Sequence, residues 1–111
     1  KMNKVILKGN VTSDVSYKVT VTEHEIAKFG IAVNEVRGSG DNKKEKTTFV
    51  DVTAFGKRAG VISKHVKKGD PILIEGRLNL EQWETEGGER RQKLGVILDQ
   101  FDFLNRAPKS E

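Results

Sequence analysis

Thr47-Thr48-Phe49-Val50-Asp51-Val52-Thr53-Ala54-Phe55-Gly56-Lys57-Arg58-Ala59 reads as a β-strand that stops at Gly56 and turns into a helix. Strand side chains alternate between faces. Val50, Val52 and Ala54 therefore share one face, small and apolar, suited to a core. Phe49, Asp51, Thr53 and Phe55 share the other, polar in the middle and aromatic at both ends. Six residues separate the two rings, roughly 20 Å along an ideal strand. Burial does not need two phenyl rings beside Asp and Thr on a solvent face. Either both rings tuck under loops, or they form a stacking platform for flat ligands such as nucleic-acid bases.

Outward from this stretch, the pattern is one of strands. Asn3–Val11 alternates, with Val5, Leu7 and Val11 on one face and Lys4, Ile6, Lys8 and Asn10 on the other. Thr12–Asp14 is turn-like. Val15–Thr22 is rich in Val, Tyr and Thr and extends the sheet. Glu23–Glu25 reads as a turn. Ile26–Val36 places Phe29, Ile31 and Val33 inward. Gly38–Lys46 has no periodicity and is expected to be an exposed, mobile basic loop, with Arg37 just before it. Lys57–Lys68 is the one good helix, with Ala59, Ile62 and Val66 on a stripe and Gly69 as its stop. Pro71–Trp83 is a long strand with Ile72, Ile74, Leu78 and Leu80 on one face. Gly76 in its middle suggests a bend of the kind small barrels use at corners. Gly87-Gly88 tips a hairpin. Arg91–Leu98 returns with Leu94, Val96 and Leu98 inward, and Asp99–Leu104 closes the sheet. Asn105–Glu111 is expected to be a short, disordered polar tail.

This order predicts an all-β chain: a five-stranded barrel with long hairpins and one helix between the third and fourth long strands. Closure removes the exposed edges that a short open sheet would carry. The oligonucleotide/oligosaccharide-binding barrel has this order of elements.

Bulk composition narrows the function. A chain of 111 residues suits one domain with a modest core, expected over residues 2–104. Lys1 precedes Met2, so Met2 is expected to be the natural start. No apolar run approaches the roughly 20 residues of a membrane helix, and no signal peptide is visible. There is no cysteine, which removes disulfides and thiolate chemistry and fits a cytoplasmic protein. Net charge is +4 but is not segregated: residues 1–55 carry 9 basic and 7 acidic side chains, the remainder 11 and 9. Any basic surface must be assembled in three dimensions.

Enzymatic constellations are weak. His24 and His65 have no reason to be neighbours, and His24 between two glutamates falls short of metal-ligand spacing. Glu81, Glu84, Glu86 and Glu89 cluster on an exposed tip with no burial to raise a pKa. No catalysis, cofactor or metal is expected. The aromatics say more. Trp83 has outward parity at the base of a hairpin. With Phe49 and Phe55 it makes three outward rings near Lys57, Arg58, Arg77, Arg90 and Arg91. Rings interleaved with cations suit sequence-tolerant binding of a single strand, because every base has a π face.

Four stretches then carry a resemblance. Met2-Asn3-Lys4-Val5-Ile6-Leu7, followed by Gly9-Asn10, resembles the opening of bacterial-type single-stranded DNA-binding proteins. Thr48–Val52 with Ala54-Phe55-Gly56-Lys57 resembles their central strand. Lys67-Lys68-Gly69 and Ile74-Glu75-Gly76-Arg77-Leu78 resemble their helix exit and fourth strand. Trp83, Gly88 and Arg91 have the spacing of their hairpin. The resemblance runs from Met2 to Leu104. It implies a homotetramer, cytoplasmic and nucleoid-associated, that coats single-stranded DNA in replication, recombination and repair. Carried across position by position, Phe49, Phe55 and Trp83 fall where the family stacks bases. Lys57, Lys67 and Lys68 fall where it meets phosphates.

The chain also departs from the family. Arg37 stands where some members have a stacking tryptophan, and a guanidinium can stack as well as pair with phosphate. Asn79, Glu81 and Gln82 replace common basic residues ahead of the hairpin tryptophan, which lowers the expected affinity. Val15 replaces a frequent proline, and the turn near Glu23 lacks the usual glycine. The tail carries one acid, Glu111, so no tail-mediated recruitment of other proteins is expected. The expected site is Phe49, Phe55, Trp83 and Arg37 for stacking. For phosphates it is Lys43, Lys44, Lys46, Lys57, Lys67, Lys68, Arg77 and Arg91. Two other readings share the pattern: an RNA-binding or primosomal barrel, and a protein-interaction barrel that binds no nucleic acid.

Overall fold

The computed structural model describes residues 1–104; the expectations placed on Asn105–Glu111 lie outside the described residues. Six strands and one helix follow in order: β1 (Val5–Val11), β2 (Ser16–Val19), β3 (Glu25–Arg37), β4 (Lys44–Phe55), α1 (Lys57–His65), β5 (Pro71–Glu84) and β6 (Arg90–Phe103). They form one sheet ordered β1-β5-β6-β4-β3-β2. It closes on itself where Asn10 and Val11 of β1 meet Ala32 and Ile31 of β3. β4 and β6 run parallel at Val52↔Val96 and Thr53↔Ile97. The barrel is thus five-stranded, as the sequence predicts. β2 is an appended edge, and the helix lies between the third and fourth long strands.

Alternation selects the core. Phe29 and Ile31 of β3, Val52 and Ala54 of β4, Ile72 and Ile74 of β5, and Val96 and Leu98 of β6 are buried, with Val11 and Ala27. α1 adds Ala59 and Ile62, packing against β3 and β4. Among the described residues no polar side chain is buried, so the core is held by apolar burial and the ladder hydrogen bonds.

The helix is three residues shorter than its periodicity predicts. Val66 is extended (φ −93°, ψ 127°) and buried. The following turn is tied to β1 instead: the Gly69 N–H donates to the Val11 carbonyl at 2.7 Å, and the Val11 N–H to the Asp70 carbonyl at 2.9 Å. Tertiary hydrogen bonds at the end of β1 thus outcompete one more helical turn.

The expected basic loop is mostly not a loop. Lys44 and Lys46 belong to β4, in register with Arg37 and Glu35. Only a tight connection containing a 3-10 turn at Gly40–Asn42 remains. The strand predicted over Val15–Thr22 shrinks to Ser16–Val19. A turn at Thr20–His24 takes the rest, closed by Glu23 N–H to Thr20 O and Thr20 N–H to His24 O. Glu23 sits there at φ 63°, the only non-glycine residue with positive φ among those described. A left-handed conformation costs a residue with a Cβ roughly 1–2 kcal/mol.

Leu78, Leu80 and Leu94 have inward parity but are 45%, 48% and 61% exposed. Their strands outrun the barrel. Beyond Gly76, β5 pairs only with β6 and not with β1, and among the described residues no second layer covers the ribbon. The β3–β4 ribbon projects in the same way. The radius of gyration, 16.4 Å, exceeds the roughly 13 Å of a compact chain of this length, and the two arms account for it. Asp99–Leu104 is not a separate strand but the end of β6. The register slips there: Glu75 faces Gln100 and Gly76 faces Leu98, so Asp99 is an extra residue. A Cβ on Gly76 would lie 2.2 Å from the Ile97 carbonyl oxygen. Only glycine lets β5 approach this closely as it leaves the barrel.

Candidate nucleic-acid interface

The site is built on β4. Its outward residues Phe49, Asp51, Thr53 and Phe55 face Ala32, Gly30, Lys28 and Ile26 of β3 in register. Phe49 is 74% exposed and Phe55 47% exposed. Neither ring tucks under a loop, which removes the first of the two readings of the opening stretch. On the other side of β4, Thr53 is in register with Ile97. The outward row of β6 then continues through Gly95, Lys93 and Arg91, opposite Asn79, Glu81 and Trp83 of β5. Trp83 is 47% exposed. Phe49, Phe55 and Trp83 therefore share one outward face spanning β3, β4, β6 and β5.

Two features knit that face together. Lys93 Nζ contacts Asp51 Oδ2 at 2.6 Å and so joins the β6 row to the β4 row. The Asp51 hydrogen bond and charge, with a smaller push from Glu81, raise the pKa of Lys93 above the ordinary lysine value. Beside this pair lies a cavity of about 320 Å³, floored by Gly30, Gly95 and Ile97. The β1–β2 connection forms its far rim. Thr12 N–H donates to the Gly30 carbonyl at 2.9 Å, and a Cβ on Gly30 would lie 2.6 Å from Thr12 Oγ1. Glycine at position 30 is what lets this rim close in. A second groove runs along the β5–β6 arm beside Trp83, between Gln82, Glu84, Arg90, Arg91 and Gln92.

The expected cations divide into two groups. Three are paired within the chain: Arg37 with Glu35 at 4.0 Å, Arg77 with Asp99 at 3.3 Å, and Arg91 with Glu89 at 2.8 Å. All are solvent-exposed pairs, worth at most about 1 kcal/mol each, so a phosphate can compete for them. Lys43, Lys44, Lys46, Lys57, Lys67 and Lys68 are exposed and make no ion pair among the described residues.

Their placement is uneven. Lys57 follows Phe55 by two residues at the start of α1. Lys67 and Lys68 lie beyond the other end of that helix, roughly 14 Å away at 1.5 Å per residue. Arg77 shares the outward row of Asn79, Glu81 and Trp83, and Arg91 is directly opposite Trp83. Arg37, Lys44 and Lys46 sit together at the end of the β3–β4 arm, on the opposite side of the ribbon from Phe49. Lys43 precedes that strand. The arm thus presents Arg37 and the lysines as a separate cationic tip, not beside the three rings.

The sequence did not single out Lys28, Asn79, Lys93 or the Thr12–Ser16 rim as one site. These residues are scattered over some 80 positions and meet only because β4 and β6 run side by side. The outward parity of Asp51 and Asn79 was the one signal available.

Comparison with known proteins bears on the family and the fold. A family model described as the single-strand binding protein family matches residues 2–104. A single-stranded DNA-binding protein of Wolinella succinogenes is 39% identical over 110 residues, 98% of this chain and 68% of that protein. One from Helicobacter hepaticus is 34% identical, covering 98% of this chain and 65% of its own length. The chain therefore spans about two thirds of the length of these relatives. Among solved structures, a Plasmodium falciparum SSB complex with ssDNA superposes with a TM-score of 0.83 at 23% identity, over 95% of this chain and 97% of that one. That likeness identifies the oligonucleotide/oligosaccharide-binding fold. With the family match over residues 2–104 and relatives above 30% identity, the chain belongs to the single-strand binding protein family.

Proposed function

We propose that this chain binds single-stranded DNA without sequence preference and protects it during replication, recombination and repair, with residues 2–104 acting as one binding unit. The observation that carries this reading is the outward face on which Phe49, Phe55 and Trp83 stand exposed. Bases stack on the rings, and exposed lysines and arginines meet the backbone. Stacking tolerates any base, while phosphate contacts make affinity fall with salt, with a log–log slope of about −0.7 per neutralised phosphate. Lys57 follows Phe55 by two residues, Arg91 stands opposite Trp83, and Arg77 shares the outward row of β5. Lys43, Lys44, Lys46 and Arg37 hold the strand at the β3–β4 arm, and Lys67 and Lys68 hold it beyond α1. The role is binding rather than catalysis, carried out in the cytoplasm at the nucleoid.

The binding form is a homotetramer. Its support is β1, whose edge opposite β5 has no strand partner from Val5 to Lys8 among the described residues, and whose outward Ile6 is 62% exposed. Such an edge pairs readily with its own copy across a two-fold axis. Light scattering should give a mass near four times 12.4 kDa; a monomer at micromolar concentration would refute the assembly.

Trp83 is the single tryptophan, so its emission reports one site. Titration with oligo-dT at two salt concentrations should quench it, and the midpoint should weaken at the higher salt. Emission indifferent to oligo-dT, with no salt-dependent affinity by any other readout, would leave a protein-interaction barrel as the better reading. Tighter binding to a matched RNA oligomer would shift the substrate to RNA, since a site that uses the 2′-hydroxyl favours RNA.

A further inference from the structure

The arm that carries Trp83 is tied to the barrel by a side chain. Val5 of β1 stands opposite Gly76 of β5, so in the same register Asn3 falls opposite Leu78. β1 begins at Val5 and does not reach this position. Asn3 bridges it instead with its side-chain amide. Asn3 Nδ2 donates to the Leu78 carbonyl at 2.9 Å, and the Leu78 N–H donates to Asn3 Oδ1 at 2.9 Å. A primary amide offers a donor and an acceptor side by side, as the backbone of a strand residue does. The pair therefore adds one more rung to the β1–β5 ladder, at the point where the arm leaves the barrel.

The direction of the arm is set at this point. β5 and β6 change register between Glu75 and Gly76, and a bulge of this kind bends and twists the ribbon. A two-stranded ribbon has little stability of its own. Two ion pairs flank the bend, Lys4 with Glu75 at 2.7 Å and Arg77 with Asp99 at 3.3 Å. Both are solvent-exposed, so salt weakens them. The amide pair is neutral and is not screened. Trp83 lies five residues beyond Leu78, roughly 17 Å along the strand, so a swing of about 10° at Leu78 moves the indole by about 3 Å. Such a swing takes the indole off a base while Phe49 and Phe55, which stand on β4, keep their places.

We propose that Asn3 is a positioning residue for the binding face: its side-chain amide, paired with the backbone of Leu78, holds the β5–β6 arm at the angle that brings Trp83 into line with Phe49 and Phe55. The inference rests on the single-strand-binding reading above and adds to it a residue that acts on DNA only through Trp83. Alanine at position 3 leaves both Leu78 backbone groups to water and frees the arm to swing. The barrel core is untouched, because Asn3 is exposed and none of the core residues contacts DNA through it.

The test is a double-mutant cycle over wild type, Asn3→Ala, Trp83→Ala and the Asn3→Ala/Trp83→Ala double variant. Binding is read from the anisotropy of labelled oligo-dT, with thermal melting and light scattering on each protein. Asn3→Ala weakens binding by about threefold to tenfold, the scale of one or two ordinary hydrogen bonds. The loss is the same at low and high salt, since no phosphate contact goes with it. In the Trp83→Ala background the same change costs nothing further. In the free protein, Asn3→Ala lowers the steady-state anisotropy of the Trp83 emission, while melting temperature and mass stay at the wild-type values. Wild-type affinity in Asn3→Ala overturns the proposal, and so does a loss that persists in full without Trp83. A melting temperature or mass that falls with Asn3→Ala places the residue in the fold or the assembly instead, and overturns it too. A wild-type chain that binds no oligo-dT overturns the single-strand-binding reading, whereas the emission of the free protein still tests the tie between Asn3 and the arm, so the two failures are distinguishable.

Discussion

Ile72 and Ile74 are fully buried, while Leu78 and Leu80, on the same face of the same strand, are nearly half exposed. The four residues have the same parity and similar hydrophobicity. What differs is what lies beneath them. At Ile72 and Ile74, β5 is flanked by β1 and β6 and closes over the barrel interior. Past Gly76 it leaves β1 and pairs only with β6, and the face that carries Leu78 and Leu80 is left open among the described residues. Alternation assigns a side chain to a face, but only a covering layer turns that face into a core. The arm trades burial for reach, and it carries Trp83 out into solvent, 47% exposed.

The contrast can be broken or sharpened by substitution. The largest expected effect lies in the barrel. Phe29→Ala should destabilise the fold by about 3–5 kcal/mol, read from denaturant midpoints, because Phe29 is 4% exposed in the central cluster. At the junction of barrel and arm, Gly76→Ala should cost about 1–3 kcal/mol, since the added methyl meets the Ile97 backbone. A variant as stable as wild type would mean that the close approach there can relax. On the arm itself, Trp83→Ala should weaken oligo-dT binding by about tenfold or more, at roughly 1–3 kcal/mol per stacked base, with the melting temperature almost unchanged. Phe49→Ala and Phe55→Ala should act in the same direction. If Trp83→Ala lowers the melting temperature instead, the arm is a structural element and the contrast collapses. The smallest effect is expected from Leu80→Ser with Leu94→Ser, within about 0.5 kcal/mol each. These two leucines face each other in register on the uncovered side. A loss as large as that of a core change would show that a second copy of the chain covers this side of the arm.

Glu23 offers a separate check on the local physics. Glu23→Gly should stabilise the protein by about 1 kcal/mol, because glycine adopts φ 63° without the Cβ penalty. No change in melting temperature would mean that the turn already relieves the strain.

Local chemistry in the sequence was enough to determine the strands of the barrel, the single helix, the glycine at the corner of β5 and the outward parity of Phe49, Phe55 and Trp83. Side-chain alternation and backbone preference act over a few residues, so their outcome is written in consecutive positions. Where an element stops was not written there. The helix ends at His65 because β1 claims the next turn by hydrogen bonds, and Lys44 joins a strand because Arg37 lies across from it. Nor could the pattern tell Ile74 from Leu80, since burial depends on whether β1 is still present beside them. The tertiary structure alone decided that Asp51 of β4 meets Lys93 of β6. Two strands some 40 residues apart in the chain are placed side by side by barrel closure, and no local preference encodes which charges then come into contact.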